Sequence, residues 1–197
     1  MKKLLTLTAA FFFSFAAQVS ADSNNVSLER YLDNLYLDHS IGFRAGAPTT
    51  TQNVDINVKE VYLRREMPQY NMGLMIPSVE VAVAQLNADG QRGYNYSVGP
   101  ALTIPLYGMG SKLQLVGHTK VHWLTKHDFG RKRYGGPVQW TYAFGGKYQI
   151  QKNSYIEYVW EHMSNGDRYL FNPALETHKL ALGVNFRSDP QGTLCEG

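Results

Sequence analysis

Polar and apolar residues alternate along most of the chain. Over residues 94–106, Tyr96, Val98, Leu102 and Ile104 share one parity, while Asn95, Ser97, Gly99 and Thr103 share the other. Successive side chains leave opposite faces of a β-strand, so this period-two pattern predicts a strand with one apolar face. The pattern recurs over 138–150, with Trp140, Tyr142 and Phe144 against Gln139, Thr141 and Gly145. It recurs again over 154–163 (Ile156, Tyr158 and Trp160 against Tyr155, Glu157 and Glu161) and over 177–186 (Leu180, Leu182, Val184 and Phe186 against Lys179, Gly183 and Asn185). Further strands are predicted over 40–45, 54–67, 78–86 and 112–125, which brings the count to eight. Gly, Pro, Asn and Asp cluster between them at 46–48, 87–90, 108–110, 135–137 and 151–153, where turns are expected. In the second strand Val61 and Leu63 break the parity set by Val54, Ile56 and Val58, which predicts a bulge there.

After the N-terminal segment no stretch stays apolar for 18 residues, which argues against a helical span. Several predicted strands are long enough to cross a membrane while tilted, and bacterial outer-membrane barrels use even strand counts starting at eight. A soluble barrel can share the count but turns its apolar face inward. Glu157, Glu161 and Lys179 are most simply explained as mutually paired residues inside a lumen, and Trp140, Tyr142, Tyr158 and Trp160 suit an interfacial aromatic girdle. The expected class is therefore all-β, an eight-stranded antiparallel transmembrane β-barrel with its apolar face toward lipid.

The N-terminus fits that destination. Lys2 and Lys3 precede an apolar run over 4–17, and Val19-Ser20-Ala21 offers small residues for cleavage, so 1–21 reads as a signal peptide and 22–197 as one barrel domain. Losing two lysines takes the basic count from 19 to 17 against 16 acidic residues, so the charge drops from +3 to +1 and gives no reason to expect nucleic-acid binding. Cys195 is the only cysteine, so an intramolecular disulfide is excluded.

With both ends in the periplasm, the connections after the first, third, fifth and seventh strands face outward. The fifth-to-sixth connection carries Lys126, Arg131, Lys132 and Arg133, cations suited to a phosphate-rich surface. The seventh-to-eighth connection shares that rim. His162 and Ser164, two apart at the end of the seventh strand, project from the apolar face, and Glu176 takes the same face at the start of the eighth. A serine hydroxyl needs an imidazole to accept its proton, and the imidazole needs an acceptor to fix its tautomer and steady its charge. The three residues could supply a hydrolytic triad on the outer wall.

His162-Met163-Ser164-Asn165, then Asn172-Pro173 and Glu176, resembles the signature of the lipid A 3-O-deacylases of the PagL family. The resemblance implies an enzyme of the Gram-negative outer membrane that releases the 3-O-linked hydroxyacyl chain of lipid A without metal or other cofactor. It implies Ser164 as nucleophile, His162 as base and Glu176 as the residue that orients His162. Asn172 would hold the oxyanion, with Asn165 and Gly166 beside it; Asp167, directly after Gly166, departs from the family pattern. The implied partner is lipid A or lipopolysaccharide in the outer leaflet, and a homodimer is compatible with such a barrel. Two other readings stay open on the residues alone: a non-catalytic small barrel, and a different outer-membrane lipid enzyme, an acyltransferase or phospholipase.

Overall fold

The computed structural model describes residues 39–50, 52–108 and 111–186. The expected signal peptide and Cys195 lie outside the described residues. Eight long strands follow the alternation: β1 (His39–Pro48), β2 (Ile56–Glu66), β3 (Ile76–Ala88), β4 (Gln91–Pro105), β5 (Leu113–Leu124), β8 (Val138–Gln151), β9 (Ser154–Ser164) and β10 (Leu175–Phe186). Two short strands, β6 (Asp128–Phe129) and β7 (Lys132–Arg133), form a small hairpin between β5 and β8. The long strands close into an antiparallel barrel in the order β1-β10-β9-β8-β5-β4-β3-β2. Closure is made by β1 on β10, from His39 opposite Phe186 to Pro48 opposite Thr177. A closed sheet leaves no unpaired edge, which a strand in hydrocarbon cannot tolerate.

The parity of each strand decides what faces in. Ile41, Phe43, Val81, Val83, Tyr96, Val98, Phe144, Leu180 and Leu182 lie exposed on the outer wall, whereas Arg44, Glu60, Arg64, Glu80, Lys120, Glu157, Glu161 and Lys179 are buried inside. Arg44 bonds Glu60 at 2.7 Å, Glu80 at 2.6 Å and Glu157 at 2.7 Å, and Arg64 adds Glu80 at 2.7 Å and Glu157 at 2.9 Å. Lys179 bridges Glu60 at 2.9 Å and Glu161 at 2.6 Å. The lumen pairing expected of Glu161 and Lys179 is present, but Glu157 pairs with the two arginines rather than with Lys179. Two buried tyrosines, Tyr62 and Tyr155, share a 2.7 Å hydrogen bond in the lumen. They fit because Gly42 and Gly183 face them: a Cβ at either glycine would come within 2.4 Å of a tyrosine ring.

The expected bulge in the second strand is absent. β2 pairs with β3 without interruption from Ile56 opposite Ala88 to Glu66 opposite Ser78, and its side chains alternate strictly. The apparent parity break at Val61 marks a change in what fills the lumen. Near one end of the barrel Val54, Ile56 and Val58 turn inward and join Leu86, Leu124, Met163 and Leu175 in an apolar cluster; past Val58 the same inward face carries Glu60, Tyr62 and Arg64. Phe129 and Tyr134, from the connection between β5 and β8, pack edge to face at 5.9 Å and are buried in that cluster. The connection thus folds over the barrel mouth as an apolar cap.

Candidate active site

The capped end carries the connections β1–β2, β3–β4, β5–β8 and β9–β10. β9 approaches it with Trp160, His162 and Ser164 in successive outward positions, and β10 leaves it with Glu176 and His178. His162 and Glu176 are register partners, so their side chains emerge side by side from the outer wall. The distance from His162 Nδ1 to Glu176 Oε1 is 3.4 Å, within ion-pair range but without hydrogen-bond alignment. Glu176 Oε2 faces the other way, accepting from Thr49 Oγ1 at 3.4 Å. On the opposite flank the Tyr142 ring stacks on the imidazole at 4.9 Å and 24°, with Trp160 following at 6.2 Å. The imidazole is therefore wedged between a carboxylate and an aromatic face, Nδ1 toward the carboxylate. Ser164 lies at the next outward position, opposite Trp140.

Beyond Ser164 the chain turns sharply. Arg168 N donates to Asn165 O at 3.2 Å, and the two residues between, Gly166 (φ 63°) and Asp167 (φ 61°), both occupy the left-handed region. Glycine takes that conformation freely, while Asp167 adopts it as one of the few other residue types that do so. Asn172 clasps the turn: its Oδ1 accepts from Asn165 N at 3.0 Å and its Nδ2 donates to Asp167 Oδ1 at 2.8 Å.

Parity turns Asn165 inward, away from the wall that bears Ser164, and its residue is buried. Its Nδ2 donates to the carbonyls of Tyr134, at 3.2 Å, and Phe171. Asn165, expected beside the oxyanion, thus ties the serine's loop to the cap. Gly135 (φ 79°) permits the close approach, since a Cβ there would lie 2.1 Å from Phe171 O.

The sequence of this barrel carries the decisive likeness. A model of the lipid A 3-O-deacylase (PagL) family matches residues 65–185, which span β3 to β9 whole and nearly all of β10. The chain belongs to that family. It is a lipid A deacylase, an ester hydrolase of the Gram-negative outer membrane. Among solved structures, the outer membrane enzyme PagL superposes with a TM-score of 0.61 at 12% identity, covering 75% of this chain and 99% of that one. The N-terminal β-barrel domain of Pseudomonas aeruginosa OprF superposes with a TM-score of 0.51 at 13% identity, covering 75% and 96%. At such identities the superpositions speak for the fold alone. Among curated proteins no sequence matches the chain significantly.

The four loop cations occupy the same end but do not converge on one point. Arg131 bonds Asp89 at 2.6 Å, Arg133 bonds Asp128 at 3.2 Å, and Lys132 donates to Gln52 Oε1 at 3.1 Å with its Nζ 5.5 Å above the Tyr134 ring. Lys126 lies 5.9 Å from the Phe129 ring. Both arginine side chains stay more than half exposed. Half-burial in the cap pushes the Lys132 ammonium below its usual range.

Two neighbours of His162 and Glu176 escaped sequence reasoning. Tyr142 reads as one girdle aromatic among several, and only the register that sets it opposite His162 shows its second role. Thr49 lies beyond the predicted end of the first strand, whereas β1 continues to Pro48 and brings Thr49 beside Glu176.

Proposed function

We propose that this deacylase removes the 3-O-linked hydroxyacyl chain of lipid A through a Ser-His-Glu mechanism on the lipid-facing wall of the barrel. The observation that carries the proposal is the placement of His162 and Glu176 as cross-strand partners, with Ser164 next on the same outward face of β9. A membrane-embedded substrate reaches that wall without leaving the leaflet. Its acyl chain can lie along the apolar strip formed by Phe144, Trp160 and Leu180.

In this mechanism His162 Nδ1 faces Glu176, which leaves Nε2 to take the proton of Ser164 Oγ. The oxygen attacks the ester carbonyl carbon, and negative charge collects on the carbonyl oxygen. Gly166 N–H and the second Nδ2 hydrogen of Asn172 are the proposed donors to that oxyanion, held in place by the clasped turn. The bond from carbonyl carbon to sugar oxygen then breaks, and the imidazolium gives its proton to that leaving oxygen, which departs as the sugar hydroxyl. Water, activated by the same imidazole, hydrolyses the acyl-serine and releases the hydroxy fatty acid. Glu176 fixes the tautomer of His162 and steadies its positive charge. Hydrogen bonds of this kind are commonly longer in the ground state than in the transition state, which fits the 3.4 Å separation.

Lys126, Arg131, Lys132 and Arg133 are proposed to meet the phosphates of lipid A across the rim; the exposed edges of the two arginines support this. Mass spectrometry of lipid A incubated with wild type and with Ser164→Ala tests the central proposal. Wild type should remove one 3-hydroxyacyl chain and the variant none. A gain of a chain, or full deacylation by the variant, overturns the proposal.

A further inference from the structure

Resting on the Ser-His-Glu reading, the geometry points to Thr49 as a fourth, positioning member of the site, a residue that holds the Glu176 carboxylate in the orientation His162 needs. Glu176 stands on the outer wall at the hydrocarbon boundary, where an ionised carboxylate is costly unless its lone pairs are engaged. It has two oxygens and one imidazole. Oε1 is turned to His162 at 3.4 Å, and Oε2 accepts from Thr49 Oγ1 at 3.4 Å. A carboxylate tethered at one oxygen only can rotate about its last bond and swing the other away from the imidazole. A donor on the far oxygen removes that freedom.

The backbone places the donor reliably. Thr49 N donates to Glu176 O at 3.0 Å, carrying the β1–β10 ladder one residue past Pro48, opposite Thr177. Main chain and side chain of Thr49 therefore grip the same residue twice. The arrangement also gives the closure of the barrel a chemical consequence. Thr49 belongs to the connection leaving β1, the first described strand, and Glu176 to β10, the last, so the carboxylate is gripped only once β1 has paired with β10. A threonine suits the position because its β-branched side chain has few χ1 choices, which keeps the hydroxyl aimed.

A double-mutant cycle in the full-length protein, folded in lipid A-containing detergent micelles, tests the inference. Thr49→Val keeps the shape and removes the hydroxyl; it should lower kcat about 3- to 10-fold with KM little changed, the range of an ordinary hydrogen bond, because at 3.4 Å the contact is too long for the full strength of a bond to a charged group. Thr49→Ser, which restores a hydroxyl, should recover most of that loss. In a Glu176→Ala background, Thr49→Val should add nothing, because the group it holds is gone.

Wild-type kcat in Thr49→Val, alongside an impaired Glu176→Ala, overturns the inference and leaves the triad standing. A Thr49→Val loss that persists undiminished in the Glu176→Ala background overturns it as well. Full activity of Glu176→Ala overturns the triad reading itself, and the inference with it. Should Thr49→Val fail to show the heat-modifiable migration of a folded barrel, Thr49→Ala takes its place in the same cycle, with the same expected and overturning results.

Discussion

The inside and the outside of this barrel treat charge in opposite ways. In the lumen the buried carboxylates at the centre of the ion network meet several cations each: Glu60 reaches Arg44, Lys120 and Lys179, and Glu80 reaches Arg44, Arg64 and Lys120. All of these side chains are buried. On the outer wall Glu176 has one imidazole and one hydroxyl, both at 3.4 Å, and its side chain is 43% exposed. Charges locked by several close partners have no spare capacity for a reacting group; they fill space and fix the register of the strands. A carboxylate with one loosely held partner can strengthen that contact when the partner becomes positively charged. The contrast separates a structural ion network from a carboxylate that is free to respond to a change of charge beside it.

The largest effect should come from the outer wall, and on activity alone. Ser164→Ala and His162→Ala should each lower kcat by about 10⁴-fold or more, and the double variant should lose no more than either single one, because the groups act as a unit. Glu176→Ala should be milder, since serine and imidazole remain. All of them should keep heat-modifiable migration. Losses that multiply in the double variant would mean that the two residues do not share a step.

The lumen should show the reverse. Glu80→Ala leaves Arg44, Arg64 and Lys120 short of a partner inside the barrel, and breaking a buried pair in this way costs about 3–5 kcal/mol of stability. Urea titration of the barrel in lipid would measure that cost, while deacylation per folded molecule should stay near wild type. A destabilisation below 1 kcal/mol would show the network to be dispensable for the fold. Leu182→Arg, on the lipid face of β10, should cost about 2–4 kcal/mol, with Asn185→Ser close to neutral. Equal tolerance at the two positions would contradict the assignment of faces.

How much of this was legible in the sequence depended on whether a feature followed from parity. Strand positions and lumen-facing residues did, because a period of two assigns every side chain in a strand once a few are known; Glu161 and Lys179 could be expected to meet for that reason. His162, Ser164 and Glu176 could be placed on one face by the same rule. The change in lumen filling after Val58 was misread as a bulge, since parity assumes that a face keeps one polarity along its length. Phe129 and Tyr134 could not be seen as a cap, because a loop has no period. Thr49 depended on where β1 ends, and the Gly46-Ala47-Pro48 run that signals a turn is held in the ladder by its pairing with 177–179 of β10. Tertiary pairing overrode the local signal there.

The smallest expected effect concerns an ion pair that belongs to neither region. Asp89 and Gly90 form the tight turn between β3 and β4, with φ of 50° and 72°, and the Asp89 carboxylate reaches across to the cap hairpin. It accepts from Arg131 Nη2 at 2.6 Å, from Arg131 Nε at 3.0 Å and from Arg131 N at 3.1 Å. The side-chain hydrogen bonds from Arg131, followed by the backbone one, hold the Asp89 carboxyl below its ordinary value. A depressed pKa fixes the sign: the clasp contributes fully above the unfolded aspartate value of about 4, and its contribution is lost as pH falls from there through the lower folded value. Hydrogen exchange at the Arg131 amide should therefore be protected at neutral pH and lose protection on acidification, after correction for the intrinsic rate. Asp89→Asn should start less protected and show no such acid dependence. Because the pair lies at the solvent-exposed rim, deacylation at neutral pH should change by no more than about twofold in that variant. If wild type and Asp89→Asn lost protection in parallel as pH fell, the acid sensitivity of the cap would have to come from another group, and the clasp would be a passive contact.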